Sequence, residues 1–263
     1  MTQRPRFPSR LPPLTGAPVI QHDELTDSQR VTWDTKPIPY MGDSEGFSSD
    51  RYRLSMIEQI MQSGVENAKV LQAMLRVERH RFVDSALRVQ AYEDTSLPIG
   101  AGQTISKPNV VARMLALLLQ APIYLQKGVH SRVLEIGTGC GYQAAVLSLL
   151  CKEVYSVERI KELHLKAKGN LRPLRLPNLH LLLRDGAQGY DVGSPFSGIL
   201  SAAGAEHLPR IWIDQLAVGG RLVAPVHNHL GRQSLLVIDK TSSGIKETRM
   251  EDVQFVPLKS GIE

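Results

Sequence analysis

Three glycines at every second position, Gly137, Gly139 and Gly141, follow the apolar run Val133-Leu134-Glu135-Ile136 and lead into Tyr142-Gln143-Ala144-Ala145. The order reads strand, tight turn, helix. Glycine is required where backbone takes a positive φ or lies against a ligand, because a Cβ blocks both. A dinucleotide fingerprint would be G-x-G-x-x-G, but Tyr142 holds its last position and the third glycine comes one residue early. The spacing argues against a pyrophosphate cradle and for a loop packed on a nucleoside with a small charged group, as in S-adenosylmethionine.

Two acids complete this candidate. Glu158 follows Gly137 by roughly 20 residues, the offset at which an acid ending the second strand accepts from ribose hydroxyls. Asp185, ahead of Gly186, stands where an adenine edge would lie. Read singly, each could be a solvated strand end or a helix cap. Ser106 precedes Pro108 and an apolar run, a pattern that predicts an N-cap at a helix start able to face an anion. His227 and His229 share a strand face, but no third ligand is evident; a surface pair is expected and no metal. Tyr142 and Tyr155 are expected to pack.

These residues need elements to hold them. Leu54, Ile57, Met61 and Val65 form one helical stripe, and Val70, Leu71, Met74 and Leu75 another beyond Gly64. Residues 91–108, with two glycines and two prolines between helical patterns, read as a long functional loop. Val110–Leu119 reads as a buried helix. From Arg132 the rhythm alternates: strands at 132–136, 154–158, 179–183, 198–202 and 222–226, helices at 142–150, 161–171 and 207–216. This predicts an α/β fold, a doubly wound, mainly parallel Rossmann-like sheet with N-terminal helices. Residues 234–239 and 247–256 have no helix between them and predict an antiparallel C-terminal edge.

Composition limits the alternatives. The 263 residues, 42% apolar, suffice for one core and its additions. The net charge of +5, with no block of Lys or Arg, gives no case for nucleic acid. Seven of the sixteen prolines fall in residues 1–50, which read as a disordered leader ahead of a 51–263 domain (helices and a substrate loop at 51–120, the α/β core at 131–263). They also break any signal-peptide core, and no apolar run is long enough to span a bilayer. Cys140 and Cys151 form neither C-x-x-C nor a disulfide framework. A soluble, cytoplasmic protein with reduced thiols is expected.

The motifs together resemble the protein-L-isoaspartate O-methyltransferases over about residues 70–235. The resemblance rests on Ala91-Tyr92-Glu93-Asp94, Leu97-Pro98-Ile99-Gly100, Gly102-Gln103-Thr104-Ile105-Ser106 and Leu134–Ala145, then on Val154–Arg159, Asp185-Gly186 and Gln215–Val226. It implies S-adenosylmethionine as methyl donor, held by Glu135, Gly137, Thr138, Gly139, Gly141, Glu158, Arg159, Asp185 and Gly186. It places Ser106 at the active site and Ile99, Gln103, Thr104 and Ile105 on the substrate side. The implied acceptor is the carboxylate of isoaspartyl residues in damaged proteins and peptides, whose methyl ester closes to a succinimide; a monomer with S-adenosylhomocysteine as product is expected. Three departures stand out: Ser197 where the family usually has Asp, Ala202 near a frequent Thr, and Lys107 for a common Gln. Ser197 and Ala202 would put the substrate-side wall in doubt. Lys107 could favour an acidic acceptor or merely solvate the helix start. The rivals are a methyltransferase acting on a small molecule or RNA, and an inactive cofactor-fold binding protein.

Overall fold

The computed structural model describes residues 33–40, 48–125, 131–228 and 231–263. Most of the expected leader and His229 lie outside these residues.

Helices α1 (Asp50–Gln62) and α2 (Ala68–Arg76) are separated by Gly64 at φ 94°. Asn67 caps α2, its side chain accepting from Val70 N at 3.2 Å. The α2 stripe is buried as expected, but α1 turns a different face inward. Arg53, Met56, Ile57 and Ile60 are buried while Met61 is exposed. Arg53 tolerates burial because its donors meet Ser49 Oγ, Asp50 Oδ1 and the Leu75 carbonyl.

The expected loop at 91–108 contains a small hairpin. Strands β1 (Leu97–Gly100) and β2 (Gln103–Ile105) pair antiparallel across Ala101-Gly102, with Ala101 and both flanking glycines at positive φ. Helix α3 (Pro108–Leu119) follows with Pro at its first turn, then α4 (Pro122–Leu125).

The core alternates β3 (Arg132–Ile136), α5 (Tyr142–Leu150), β4 (Glu153–Glu158), α6 (Lys161–Leu171), β5 (Leu179–Leu183), β6 (Phe196–Ser201), α7 (Arg210–Asp214) and β7 (Leu216–His227). Strands β8 (Gln233–Thr241) and β9 (Gly244–Val253) complete a seven-stranded sheet ordered β5-β4-β3-β6-β7-β8-β9. The pairs from β5 to β7 are parallel, and β7–β8 and β8–β9 are antiparallel. The expected helix at 207–216 shrinks to five residues, because Pro209 sets its start and Leu216 is drawn into β7 opposite Phe196. One apolar cluster joins α1–α3 to α5, α6 and the sheet, so the N-terminal helices and the α/β core share their interior. Chain order reverses across β3, with β4 on one side and β6 on the other, and opens a crevice at their carboxyl ends.

Candidate active site

The crevice holds a cavity of about 380 Å³. Its floor is the turn after β3. Gly137 N and Thr138 N both donate to Val157 O (2.8 and 3.2 Å), folding the turn over the end of β4. All three glycines take positive φ. At Gly141, φ is 92° and a Cβ would sit 2.7 Å from Leu171 Cδ1, so this position admits only glycine without repacking α6.

Glu158 is 5% exposed and lines the cavity. Its Oε2 accepts from Gly139 N at 2.8 Å, and Oε1 from Arg159 N and Ile160 N at 2.9 and 3.0 Å. The carboxylate is therefore fixed between the glycine turn and the start of α6. Arg159 and Gly186 also line the cavity. Gly186 is there for packing, since a Cβ would lie 2.6 Å from Ile136 Cγ2, and Trp212 Nε1 donates to its carbonyl at 2.9 Å.

Glu135 and Asp185 stand behind this wall. Glu135 is fully buried beneath the turn, accepting from Gln143 Nε2 (3.0 Å) and Ser156 Oγ. Thr138 Oγ1 continues the chain to Ser156 Oγ at 2.6 Å. Asp185 accepts from Ala187 N (2.9 Å) and Gly261 N (2.8 Å), and Gly186 forms the cavity wall in its place.

Desolvation pushes the Glu135 carboxyl up to about 7, although the hydrogen bonds from Ser156 and Gln143 oppose it. The unfolded chain releases this proton near 4.5, so the folded state binds more protons between the two values. Stability should then fall as pH rises through that window, by roughly 3 kcal/mol for the full shift. Glu135→Gln removes this dependence. Its urea midpoint should gain on wild type between pH 5 and pH 8, and a pH-independent difference would contradict the assignment.

The other side of the cavity is the hairpin. Ile99, Gln103, Thr104, Ile105 and Ser106 all line it. Ile99 lies against the glycine turn, close enough that a Cβ on Gly139 would come within 3.1 Å of its Cδ1. Lys166 Nζ holds the Ile99 carbonyl at 2.8 Å, tying the hairpin to α6. Ser106 is half-buried, and no partner for its hydroxyl occurs among the described residues. It is not the N-cap of α3. Lys107 holds that position, exposed and away from the cavity, and Asp94 Oδ1 satisfies Asn109 N at 3.0 Å.

Two of the sequence departures are placed. Ser197 lies at the start of β6, opposite the crevice, donating to Arg132 O at 2.8 Å. The doubt it raised about the substrate wall is therefore removed. Ala202 does line the cavity, its N donating to Ile136 O at 2.8 Å. Tyr142 and Tyr155 pack as expected, Tyr142 edge-on to Phe82 at 5.6 Å and Tyr155 stacked on His180 at 4.8 Å. No cluster of three or more potential metal ligands occurs among the described residues.

Sequence reasoning missed the wall made by Val256–Lys259, which closes the cavity from beyond β9. It is anchored where Gly204 N donates to Val256 O and Leu258 N to Gly204 O. No local pattern marks a contact across some fifty residues of chain.

A doubly wound sheet with a glycine turn at its switch point and an acid ending β4 defines the class of α/β proteins that bind a nucleotide or nucleoside cofactor. The family model for protein-L-isoaspartate(D-aspartate) O-methyltransferase (PCMT) matches residues 51–263. A protein-L-isoaspartate O-methyltransferase of Leptothrix cholodnii is 50% identical, covering 98% of this chain and 95% of its own. One of Methylibium petroleiphilum is 46% identical, covering 98% and 97%. Among solved structures, a protein-L-isoaspartate O-methyltransferase superposes with TM-score 0.70 at 28% identity, over 80% of this chain and 67% of the other. A Plasmodium falciparum structure described as a beta-aspartate methyltransferase (PCMT) in complex with S-adenosyl-L-homocysteine gives TM-score 0.65 at 29% identity, over 78% and 97%. The chain belongs to the protein-L-isoaspartate O-methyltransferase family.

Proposed function

We propose that this protein transfers a methyl group from S-adenosylmethionine to the free carboxylate of L-isoaspartyl residues and so initiates their repair. The observation that carries the reading is the meeting of two halves in one cavity, the glycine turn with Glu158 on one side and the Gln103–Ser106 hairpin end on the other. The cavity suits a nucleoside cofactor: an aliphatic wall at Ile136, Val157, Ile160 and Leu163 faces one fixed carboxylate and a glycine turn.

When bound, S-adenosylmethionine supplies an electrophilic methyl group. Glu158 would accept from a ribose hydroxyl, the turn from Gly137 to Gly141 would give backbone contact, and Arg159 and Gly186 would complete the wall that holds the nucleoside. Glu135 and Asp185 support these contacts from behind. The acceptor carboxylate, with an ordinary value near 4, is already ionised at neutral pH, so no general base is needed. Ser106 orients that carboxylate through its hydroxyl, and Ile99, Gln103, Thr104 and Ile105 wall the acceptor side. The apolar lining excludes water from the reacting oxygen, and positioning supplies several kcal/mol of rate enhancement. The methyl ester formed is a better electrophile than the carboxylate: the following backbone nitrogen attacks its carbonyl carbon, methanol leaves carrying the amide proton, and the succinimide that closes hydrolyses in part to normal aspartate.

We extend the reading to a monomer acting in the cytoplasm, apart from nucleic acid and membrane. Both cysteines are buried and free, and no described helix is long and apolar enough to cross a membrane.

Repair gives the test. An isoaspartyl peptide incubated with enzyme and S-adenosylmethionine should convert progressively to its aspartyl isomer, resolved by reversed-phase chromatography. Conversion that is equal without the cofactor would contradict the reading.

A further inference from the structure

Arg79 lies in a 3-10 turn, Arg79–Phe82, and is fully buried. Its guanidinium bridges two segments. Nε donates to the Ala91 carbonyl and Nη2 to the Ser106 carbonyl, each at 2.7 Å. Its Cζ sits 4.8 Å from the ring centre of Tyr142, the residue that follows the glycine turn. Nη1 and the Tyr142 hydroxyl are both buried without a partner of hydrogen-bond geometry among the described residues. One side chain thus touches the backbone of the acceptor-side serine and the first residue of the helix behind the donor-side turn.

Its charge is poorly balanced. The ionisable groups around it include Tyr142, Cys140 and Tyr92. Burial keeps all three neutral, pushing Tyr142 up to about 12 despite the adjacent cation and raising Cys140 and Tyr92 as well. Asp94 is the one acid among them, the weakest of the influences on Arg79, and its Oδ1 is already engaged by Asn109 N. Desolvation opposes the charge, yet guanidinium stays protonated in proteins. Buried cations are ordinarily paired, because an uncompensated one costs several kcal/mol. The missing counter-charge is what an acceptor carboxylate at Ser106 would bring.

We infer that Arg79 is a positioning residue that acts through Ser106: it clamps the Ser106 carbonyl and, as a buried unpaired cation behind the cavity wall, selects an anionic over a neutral acceptor. The inference rests on the isoaspartyl reading above and deepens it. The acceptor class it specifies is a carboxylate on a polypeptide, and the corresponding carboxamide is discriminated against.

The test compares an isoaspartyl peptide with the same peptide carrying isoasparagine, whose carboxamide is neutral. Both are fluorescently labelled and titrated against the full-length enzyme saturated with S-adenosylhomocysteine. Wild type should prefer the carboxylate by about tenfold or more, the size expected of one charge-assisted interaction. Arg79→Gln should shrink that preference to about twofold while S-adenosylhomocysteine affinity stays within about twofold of wild type. A preference unchanged in folded Arg79→Gln overturns the inference, since a purely structural residue would weaken both peptides alike. If Arg79→Gln does not fold, Arg79→Lys carries the test, keeping the charge but losing the two-carbonyl fork. Its carboxylate preference should persist while turnover falls about tenfold at unchanged cofactor affinity. Unchanged turnover, or an equal loss of cofactor affinity, overturns the inference. Wild type that transfers no methyl to the isoaspartyl peptide is a different failure and would strike the functional reading itself.

Discussion

Replacing Glu158 with alanine is expected to weaken S-adenosylhomocysteine binding by about 10- to 100-fold, read by isothermal titration calorimetry. The carboxylate is held by three backbone N–H groups, from Gly139, Arg159 and Ile160, before any ligand arrives. Little ordering is left to do on binding, and the acceptor site left free on Oε2 can take one charge-assisted bond from a ribose hydroxyl that counts nearly in full, at about 1.5–3 kcal/mol. The substitution also strands the Gly139 amide and loosens the turn that lies against Ile99. A second loss follows, about 1–3 kcal/mol of folding stability in urea from the unpaired amides. Glu158→Gln keeps the size and one carbonyl acceptor and should fall between the two. Wild-type affinity in Glu158→Ala would remove this residue from the cofactor site.

The second large effect is expected on the acceptor side. Ser106→Ala should lower turnover roughly 10- to 100-fold, the worth of one hydrogen bond to a charged group, and leave S-adenosylmethionine affinity near wild type. Stability should barely change. The Ser106 hydroxyl holds no described partner and does not cap α3, whose first free amide is taken by Asp94, so its removal breaks nothing in the fold. What Arg79 grips is the Ser106 carbonyl, which alanine retains. Loss of stability without loss of turnover would return Ser106 to a structural role. Steady-state kinetics on an isoaspartyl peptide, with urea unfolding alongside, separates the outcomes.

Much of this arrangement was legible in the chain because it is local. Strands β3, β4 and β5 and helices α5 and α6 fall where the apolar alternation places them, within a residue, since each carries its own local apolar pattern, a nearly continuous buried run in β3 and α5 and a stripe of Leu163, Ala167 and Leu171 in α6. The glycine turn was legible for the same reason, each positive φ falling on a glycine. The hairpin was concealed by its short strands, of four and three residues, although Gly100 and Gly102 mark its turn. Helix α7 was overestimated because pairing of Leu216 with Phe196, twenty residues earlier in the chain, outweighs helical periodicity.

The buried charges were the least visible. Arg53 and Arg79 look like surface residues by type, and the Leu75, Ala91 and Ser106 carbonyls, brought close by tertiary folding, help make their burial tolerable, with Ser49 and Asp50 adding to the set around Arg53. Glu135 and Asp185 show the converse. Their types and positions suggested direct contact with cofactor, but neither lines the cavity: Glu135 lies beneath the glycine turn with Ser156 and Gln143, and Asp185 turns to the amides of Ala187 and Gly261. Side-chain identity at a strand end indicates the neighbourhood of a site; the direction the backbone gives the side chain decides whether it faces the cavity, as Glu158 does, or the layer behind it.

The most direct measurement is transfer of label from methyl-labelled S-adenosylmethionine to an isoaspartyl peptide and to its aspartyl twin. The account predicts base-labile label, released as methanol, on the isoaspartyl peptide and none on the twin. Absence of label from both, in an enzyme that still binds S-adenosylhomocysteine, would contradict it.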